Sequence, residues 1–189
     1  MKSLDLATVR LSTTITVAKY RQLERDHDKH RIAQFLRARF AERYLRPAQG
    51  SPSSKNGFAM MAIACLMIEA LESFRLGWPD SRGRSQNAFR FFFREWPRFA
   101  VFTSHADDFY RGVRNGILHQ AETTGGWRIQ RRGPLFDADA KTLNAALFLR
   151  KLEASLDDYC NQLHDAPWDS EIWRNFRNKM SAICANTLA

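Results

Sequence analysis

The stretch that decides the fold runs from Phe58 to Leu76 and reads FAMMAIACLMIEALESFRL. Wound into a helix, it carries apolar residues on nearly every side, and such a helix is buried in a protein interior. Its uncharged part, Phe58 to Ile68, is too short to span a bilayer, which needs about 20 consecutive apolar residues. Glu69 and Glu72 are the only acids in the segment. We therefore expect the central core helix of a soluble protein that does not enter a membrane.

Charged and amphipathic segments on the N-terminal side of this helix predict a second one. Residues 21–45 carry apolar side chains at spacings near three and four, namely Ile32, Phe35, Leu36, Phe40 and Tyr44. The segment RPAQGSPSSKNG, residues 46–57, is typical of a loop because Pro, Gly and Ser cluster in it. Residues 1–20 contain LSTTITV, a β-branched stretch that is either a short strand or an arm.

The C-terminal side predicts three more helices. One begins near Ser104, which is suited to capping a helix start, and ends where Gly125 or Gly126 can adopt the left-handed conformation. The other two cover about 138–163 and 169–185. Between them and the first lies WRIQRRGPLF, which alternates apolar and basic residues and predicts a small hairpin or extended loop.

These elements predict an all-α protein, a bundle of four to five helices with a small extended hairpin or loop. We expect an N-terminal arm, residues 1–20, and a single helical domain, residues 21–189. The rings of Trp78, Trp96 and the FRFFF cluster, residues 89–93, are spaced for packing in the core or in a dimer interface.

Composition narrows the class of partner. Hydrophobic residues make up 44% of the chain, which excludes a disordered protein. Lys and Arg number 29 against 20 Asp and Glu, a net charge of +9, so a polyanion such as RNA is a reasonable partner. The three cysteines are far apart and form no CxxC pair, and the N-terminus lacks the apolar run of a signal peptide. We expect a cytoplasmic protein without disulfides.

The helix that begins near Ser104 carries the hexapeptide RNGILH, Arg114 to His119. On a straight α-helix Asn115 and His119 are neighbours on one polar strip, together with Asp108, Arg111 and Glu122. Arg114 lies roughly 140° around the axis from His119. The two therefore converge only if the arginine wraps around the helix, or if a second copy of the helix faces the first across a two-fold axis.

The residue types in this hexapeptide suit one chemistry. An imidazole exchanges a proton near neutral pH, and a guanidinium stabilises the charge that builds on a phosphate. A neighbouring amide such as Asn115 orients the histidine ring or the scissile phosphate. Together they suit cleavage of RNA without metal or cofactor, in which the 2′-hydroxyl attacks the adjacent phosphate and a base takes its proton.

The spacing alone is not specific, because a second example occurs in the chain. RDHDKH places Arg25, Asp26 and His30 at the same separations. Charged residues surround it on nearly every side, so we read it as a solvated helix start. The other interpretation is a metal site formed by His27 and His30 with Asp26.

The neighbouring sequence distinguishes RNGILH from RDHDKH. FYRGVRNGILHQAETTGGW resembles the signature helix of the HEPN superfamily (higher eukaryotes and prokaryotes nucleotide-binding domains), in which an arginine and a polar residue precede a histidine. Arg114, Asn115 and His119 match that pattern. The preceding DDFYRGV, the long apolar helix and GWRI…GPLF are also similar to small bacterial members. The resemblance covers about residues 27–165.

The resemblance implies a helical dimer in which two signature helices share a cleft. It implies a metal-independent endoribonuclease, a toxin or phage-defence effector that an antitoxin protein could accompany, with Arg114, Asn115 and His119 as catalytic residues. Other members of the superfamily are non-catalytic dimerisation or RNA-binding modules, and this alternative stays open.

Further residues are candidates for RNA binding or support, each with an ordinary alternative. Arg128, Arg131 and Arg132 either track an RNA backbone or form a solvated hairpin. Arg111 either contacts phosphate or pairs with Asp107 or Asp108. Asp108 shares the polar strip with His119 and is assigned a supporting role.

Glu69 is the second supporting candidate. It either reaches the signature helix from the central helix and orients Arg114, or is an ordinary buried acid paired elsewhere.

Overall fold

The computed structural model describes residues 7–49 and 56–188, and helices dominate it. This part of the chain forms seven helices and a small three-stranded sheet. The all-α class with a minor extended element is confirmed. The helices outnumber the four or five expected because residues 21–45 do not form one helix, and because the aromatic stretch before Pro97 forms a helix of its own.

The helices are numbered α1 to α7 in chain order. Their bounds are α1 Val17–Arg25, α2 Lys29–Phe40 with a π-helical turn Ala41–Leu45 and a last turn Arg46–Ala48, α3 Gly57–Arg75, α4 Ser85–Glu95, α5 in the three segments Ala106–Phe109, Tyr110–Asn115 and Gly116–Gln120, α6 Ala145–Asp165 and α7 Glu171–Leu188. A 3-10 segment, Pro97–His105, joins α4 to α5.

The sheet lies between α5 and α6 in the chain. Its strands are β1 Arg128–Gln130, β2 Phe136–Asp137 and β3 Thr142–Asn144. The central strand β3 pairs in parallel with β1 and antiparallel with β2. The structure thus has a three-stranded sheet in place of the expected hairpin. Its third strand, β3, lies in residues that were expected to belong to the next helix.

The break between α1 and α2 has a local cause. His27 has φ 52°, and the Asp28 side chain accepts a hydrogen bond from the Arg31 amide and so starts α2. A single helix over 21–45 was therefore wrong, because aspartates at 26 and 28 favour a cap over a helix interior. Residues 1–6 of the expected arm lie outside the described residues. Its remainder forms one bridge, Arg10 to Thr16, and the start of α1.

Helix α3 is the centre of the core, as its sequence predicts. It packs against α4, α6 and α7, and Met61, Ile68 and Leu71 have no exposed surface. By length and composition alone α3 could cross a membrane, but 61% of that window is buried by the surrounding helices.

A second layer of the core consists of stacked aromatic rings beneath α5. Phe93 stacks on Phe102 with ring centroids 5.1 Å apart, and Phe109 stacks on Phe148 at 5.7 Å. Trp96 is 5% exposed, and its Nε1 donates a hydrogen bond to the buried Glu72 carboxylate at 2.8 Å. Phe89, Phe92, Phe93 and Trp96 are therefore core residues, whereas Phe91 is half-buried and Arg90 is exposed. Helix α5 packs on this aromatic layer.

The ends of α5 differ from the prediction. Ser104 lies within the 3-10 segment and α5 starts at Ala106. Its end comes at Gln120, where Ala121 adopts the left-handed conformation at φ 55°, before either expected glycine. Gly125 and Gly126 both have positive φ but lie in the following loop. The helix ends early because the chain turns back onto it.

The start of α6 was also misplaced. Residues 138–144 form a turn and β3 instead of helix, and α6 begins at Ala145. The Asn144 side chain accepts a hydrogen bond from the Leu147 amide at 3.1 Å, which caps the helix. A strand that ends in the capping residue Asn144 thus replaces the first two helical turns that were expected for α6.

Candidate functional site

Two glycines shape the outer part of α5. A Cβ at Gly112 would lie 2.4 Å from Trp127 Cδ1 and 2.8 Å from the Thr124 carbonyl oxygen. A Cβ at Gly116 would lie 2.5 Å from the Glu122 carbonyl oxygen. The returning loop therefore packs directly on the helix backbone, and the Thr124 amide donates a hydrogen bond to the Gly112 carbonyl at 2.8 Å. The only trace of this contact in the sequence is the spacing of four between the two glycines.

A π-helical turn, Tyr110–Asn115, interrupts α5 at the hexapeptide. Its hydrogen bonds reach one residue further than those of an α-helix, so later residues shift around the axis by about one position, roughly 100°. The single polar strip expected on a straight helix is accordingly not formed. Asp108 faces Trp127 and Lys141, whereas His119 faces solvent, and Glu122 lies beyond the end of the helix.

Arg114 points from the π-helical turn towards α3. Its Nε and Nη2 lie 3.0 Å and 2.9 Å from Oε1 of Glu69, and the two side chains are only 18% and 10% exposed. The other Glu69 oxygen, Oε2, accepts hydrogen bonds from the hydroxyls of Ser81 at 2.8 Å and Ser85 at 2.7 Å. Of the two geometries open for Glu69, the structure has the one that holds Arg114. The serines lie 12 and 16 positions further along the chain, a separation that helical periodicity does not address.

Two further contacts hold the same guanidinium. Nη1 donates to the Asn115 side-chain oxygen at 3.1 Å, and Cζ lies 5.6 Å from the centroid of the Tyr110 ring. Because arginine carries five N–H groups, at least two remain free for an incoming anion. The arrangement gives a fixed and charged hydrogen-bond donor at a half-buried position.

His119 lies apart from Arg114. Its side chain is exposed in the last turn of α5 and has no hydrogen bond or ion pair with any residue of 7–49 or 56–188. Arg114 is engaged with Glu69 and Asn115, so it does not wrap around the helix to reach the imidazole. Within one chain the structure brings Arg114 and Asn115 together and leaves His119 separate.

Asp108 anchors the loop that follows α5. Its Oδ2 accepts hydrogen bonds from Lys141 Nζ at 2.8 Å and from Trp127 Nε1 at 3.1 Å. The hydrogen bond and charge of Lys141 hold the pKa of the Asp108 carboxyl below its usual value, although partial burial opposes this. Its support of the site is therefore indirect, through the position of the loop.

Arg111 is exposed and forms no ion pair within the described part of the chain. Asp107 pairs instead with Arg90, whose Nε and Nη2 lie 2.6 Å and 2.8 Å from its oxygens. Arg111 thus forms no direct ion pair with Asp107 or Asp108, although its charge contributes to lowering the pKa of both carboxyls.

The three arginines after α5 differ in exposure. Arg128 on β1 and Arg132 in the next turn are exposed, whereas Arg131 is half-buried near the start of α3. Only Arg128 and Arg132 therefore present their side chains fully to solvent, and Arg131 is placed worst for contact with a large polyanion.

An apolar patch lies beside Arg114 and was not recognised in the sequence. Leu66 on α3 and Leu118 on α5 are 54% and 57% exposed. With Ala62, Cys65 and Ile117 they line a shallow pocket of about 90 Å³ that Arg114 borders. The only sequence signal was that α3 is apolar on nearly every side, including the side that faces outwards.

The second R-x4-H sequence has a different environment. His27 stacks on Trp168 with ring centroids 4.5 Å apart, and the His30 ring lies 2.7 Å from the Gln34 amide nitrogen. Over the described ranges, no group of three or more His, Cys, Asp or Glu residues is placed to hold a metal ion. The break between α1 and α2 falls inside RDHDKH, so Arg25 and His30 are on different helices.

No family model, curated protein or solved structure matches this chain. The class of the protein is therefore defined by the residues described above: a helical protein in which α5 carries an arginine paired with Glu69 of α3 and, apart from it, an exposed histidine.

Proposed function

We propose that the chain is a HEPN-type endoribonuclease that acts as a homodimer through α5. The observation that carries the proposal is the guanidinium of Arg114, fixed by Glu69 and Asn115 beside an exposed apolar patch. His119 is exposed on the same helix, five residues further on. Bulged helices of this kind often occur at functional sites.

In the proposed reaction His119 takes the proton of a ribose 2′-hydroxyl, and the oxygen attacks the adjacent phosphorus. The O2′–P bond forms and the P–O5′ bond breaks, which leaves a 2′,3′-cyclic phosphate. The leaving oxygen takes a proton from solvent and becomes a 5′-hydroxyl, and His119 returns its proton to solvent. The free N–H groups of Arg114 stabilise the negative charge that develops on the phosphate oxygens. Asn115 positions the guanidinium, and no cofactor takes part.

A second copy of the chain would complete this site. A two-fold axis near Leu66 and Leu118 buries both leucines and faces the two α5 helices towards each other. Such packing also covers apolar surface that a monomer exposes to water. The His119 of each protomer then approaches the Arg114 of the other, which resolves the separation of the two groups within one chain.

The charge distribution supports RNA as the substrate. The chain has a net charge of +9, and Arg111, Arg128 and Arg132 are exposed after or on α5. Exposed arginines contact phosphates and position the strand, while cleavage depends on the α5 groups. A toxin or phage-defence role, with an antitoxin protein as a possible partner, and a cytoplasmic location are parts of the same proposal.

One observation favours a second candidate, the non-catalytic dimerisation or RNA-binding module. Glu69 already neutralises Arg114, and a buried pair of this kind also serves to hold two helices together. In that case His119 forms a polar part of the dimer seam. Substituting it would then weaken the dimer without removing any turnover.

The test is digestion of labelled RNA in the presence of EDTA by the wild type, Arg114→Gln and His119→Ala. We expect at least a hundredfold loss of cleavage in both variants, the size usual for loss of a general base or of an electrostatic donor. His164→Ala and Arg150→Gln remove an exposed histidine and an exposed arginine elsewhere. Both controls should cleave as the wild type does.

Equal activity in the wild type and both site variants would reject the assigned roles. No cleavage of any RNA by the wild type, with a dimer that His119→Ala weakens, would favour the non-catalytic module.

A further inference from the structure

A basic pocket lies among α2, α3 and α7. It has a volume of about 170 Å³. Its polar lining consists of Arg39, Arg43, Tyr44 and Lys179. Its apolar lining consists of Phe40, Ala70, Phe74 and Ile183. None of the basic residues in this pocket belongs to the proposed ribonuclease site.

The three cations of the pocket have no carboxylate partner in residues 7–49 or 56–188. Arg39 Nη1 donates to the Leu11 carbonyl oxygen, and Arg43 Nη2 donates to the same oxygen at 3.1 Å. Lys179 Nζ donates to the Pro79 carbonyl oxygen at 2.8 Å. Two guanidinium groups thus converge on one neutral oxygen. The carboxylates of Glu42 and Asp80 act on the three cations only from beyond ion-pair distance.

Arg37, two positions before Arg39 on the same helix, differs from it because it forms ion pairs with carboxylates. Its Nη2 and Nε lie 2.8 Å from Glu153 and 2.8 Å from Asp157. Those contacts raise the pKa of Arg37 although burial opposes them. On α2, Arg37 therefore forms ion pairs with two carboxylates, whereas Arg39 forms none in the described part of the chain.

The electrostatic consequence is visible at two of the three cations. Burial, with a smaller contribution from the charge of Arg43, lowers the pKa of Arg39 to about 10. Burial also lowers the pKa of Lys179. Arg39 remains protonated near neutral pH, so its charge is kept in a half-buried pocket at a cost that a bound anion would offset.

We propose that this pocket binds a terminal phosphate group, as found in inorganic phosphate or a phosphomonoester. A terminal phosphate carries nearly two negative charges at neutral pH and three strong acceptor oxygens, which suits three cations better than a singly charged phosphodiester does. The volume equals that of about six waters, enough for the phosphate and the first atoms of its substituent. The apolar side chains of Phe40 and Phe74 favour a substituent with an apolar face.

The test is calorimetric titration at constant ionic strength near neutral pH, with inorganic phosphate and with phenyl phosphate. We expect saturable binding that Lys179→Gln weakens about tenfold, because an uncharged amide replaces a charge-assisted donor. Arg43→Gln, at the exposed rim, should weaken it as well. Arg150→Gln removes the same charge from α6 and should leave binding unchanged.

A second arm separates the sources of the phosphate. A 5′-phosphorylated and a 5′-hydroxyl form of one short oligonucleotide are compared on the wild type and on Lys179→Gln. A preference for the phosphorylated form that Lys179→Gln removes assigns the pocket to nucleic-acid ends, and binding of phenyl phosphate alone assigns it to small phosphomonoesters. The proposal is overturned if none of the probes binds saturably at millimolar concentration. It is also overturned if Arg150→Gln weakens binding as much as Lys179→Gln does.

Discussion

At the scale of single residues, Glu69 decides whether Arg114 is a usable catalytic group. The carboxylate is 10% exposed and holds the guanidinium through Oε1, while two serine hydroxyls hold Oε2. Removal of one partner from such a pair leaves the other charge buried without compensation. The orientation of Arg114 and a share of the stability of the fold therefore depend on the same side chain.

We expect Glu69→Gln to lower the free energy of unfolding by about 3 kcal/mol, because the amide keeps hydrogen bonds to the serines but loses the charge that faces Arg114. The matched control is Glu153→Gln. That residue pairs with Arg37 at a more exposed position, where such a pair contributes less than about 1 kcal/mol. Urea unfolding of both variants measures the difference. A loss in Glu69→Gln no larger than that in Glu153→Gln would show that the pair does not hold the site.

The composition of this site was only partly predictable from the sequence. The spacing predicted that Arg114 and His119 do not meet on one helix, and within the chain they do not. The partner of Arg114 stayed open, because Glu69 lies 45 positions away and helical periodicity carries no information on that contact. The roles of Arg114, Asn115 and His119 in catalysis remain predictions.

At the scale of elements, the loop packed on α5 explains why the ends of that helix were misjudged. A glycine was expected to end α5, but the returning chain instead supplies the Thr124 amide to the Gly112 carbonyl. The sequence indicates this contact between the loop and the helix backbone only through Gly112 and Gly116, which lie four positions apart. The central position of α3 was predictable because it needed only one local pattern, apolar residues on nearly every side.

We expect Gly112→Ala to lower the free energy of unfolding by about 2 kcal/mol, although alanine favours a helix by about 1 kcal/mol. The added Cβ would lie 2.4 Å from the Trp127 ring and 2.8 Å from a backbone oxygen, so the loop has to move. In Gly57→Ala the nearest atom is a methyl group of Ile129 at 3.1 Å, which can shift. That control should change stability by less than about 1 kcal/mol. Thermal unfolding compares the two, and similar behaviour of both would contradict the close packing.

At the scale of the whole molecule, the account depends on two copies sharing their sites. One chain holds Arg114 beside the apolar patch formed by Leu66 and Leu118 and leaves His119 exposed. The buried core accounts for the fold of one chain but does not explain why two exposed leucines flank the half-buried Arg114. In the proposed dimer a partner copy covers this patch and brings His119 to Arg114.

The most direct measurement is RNA cleavage by mixtures of two inactive variants, Arg114→Gln and His119→Ala. In an equimolar mixture about half of all dimers combine the two variants. If each site takes Arg114 from one protomer and His119 from the other, every such dimer carries one intact site of its two, and about a quarter of wild-type activity returns. Adding Leu66→Glu to both variants should remove the recovered activity by separating the protomers. If the variants are inactive alone and remain inactive when mixed, while exchange of protomers is verified, the shared site is contradicted.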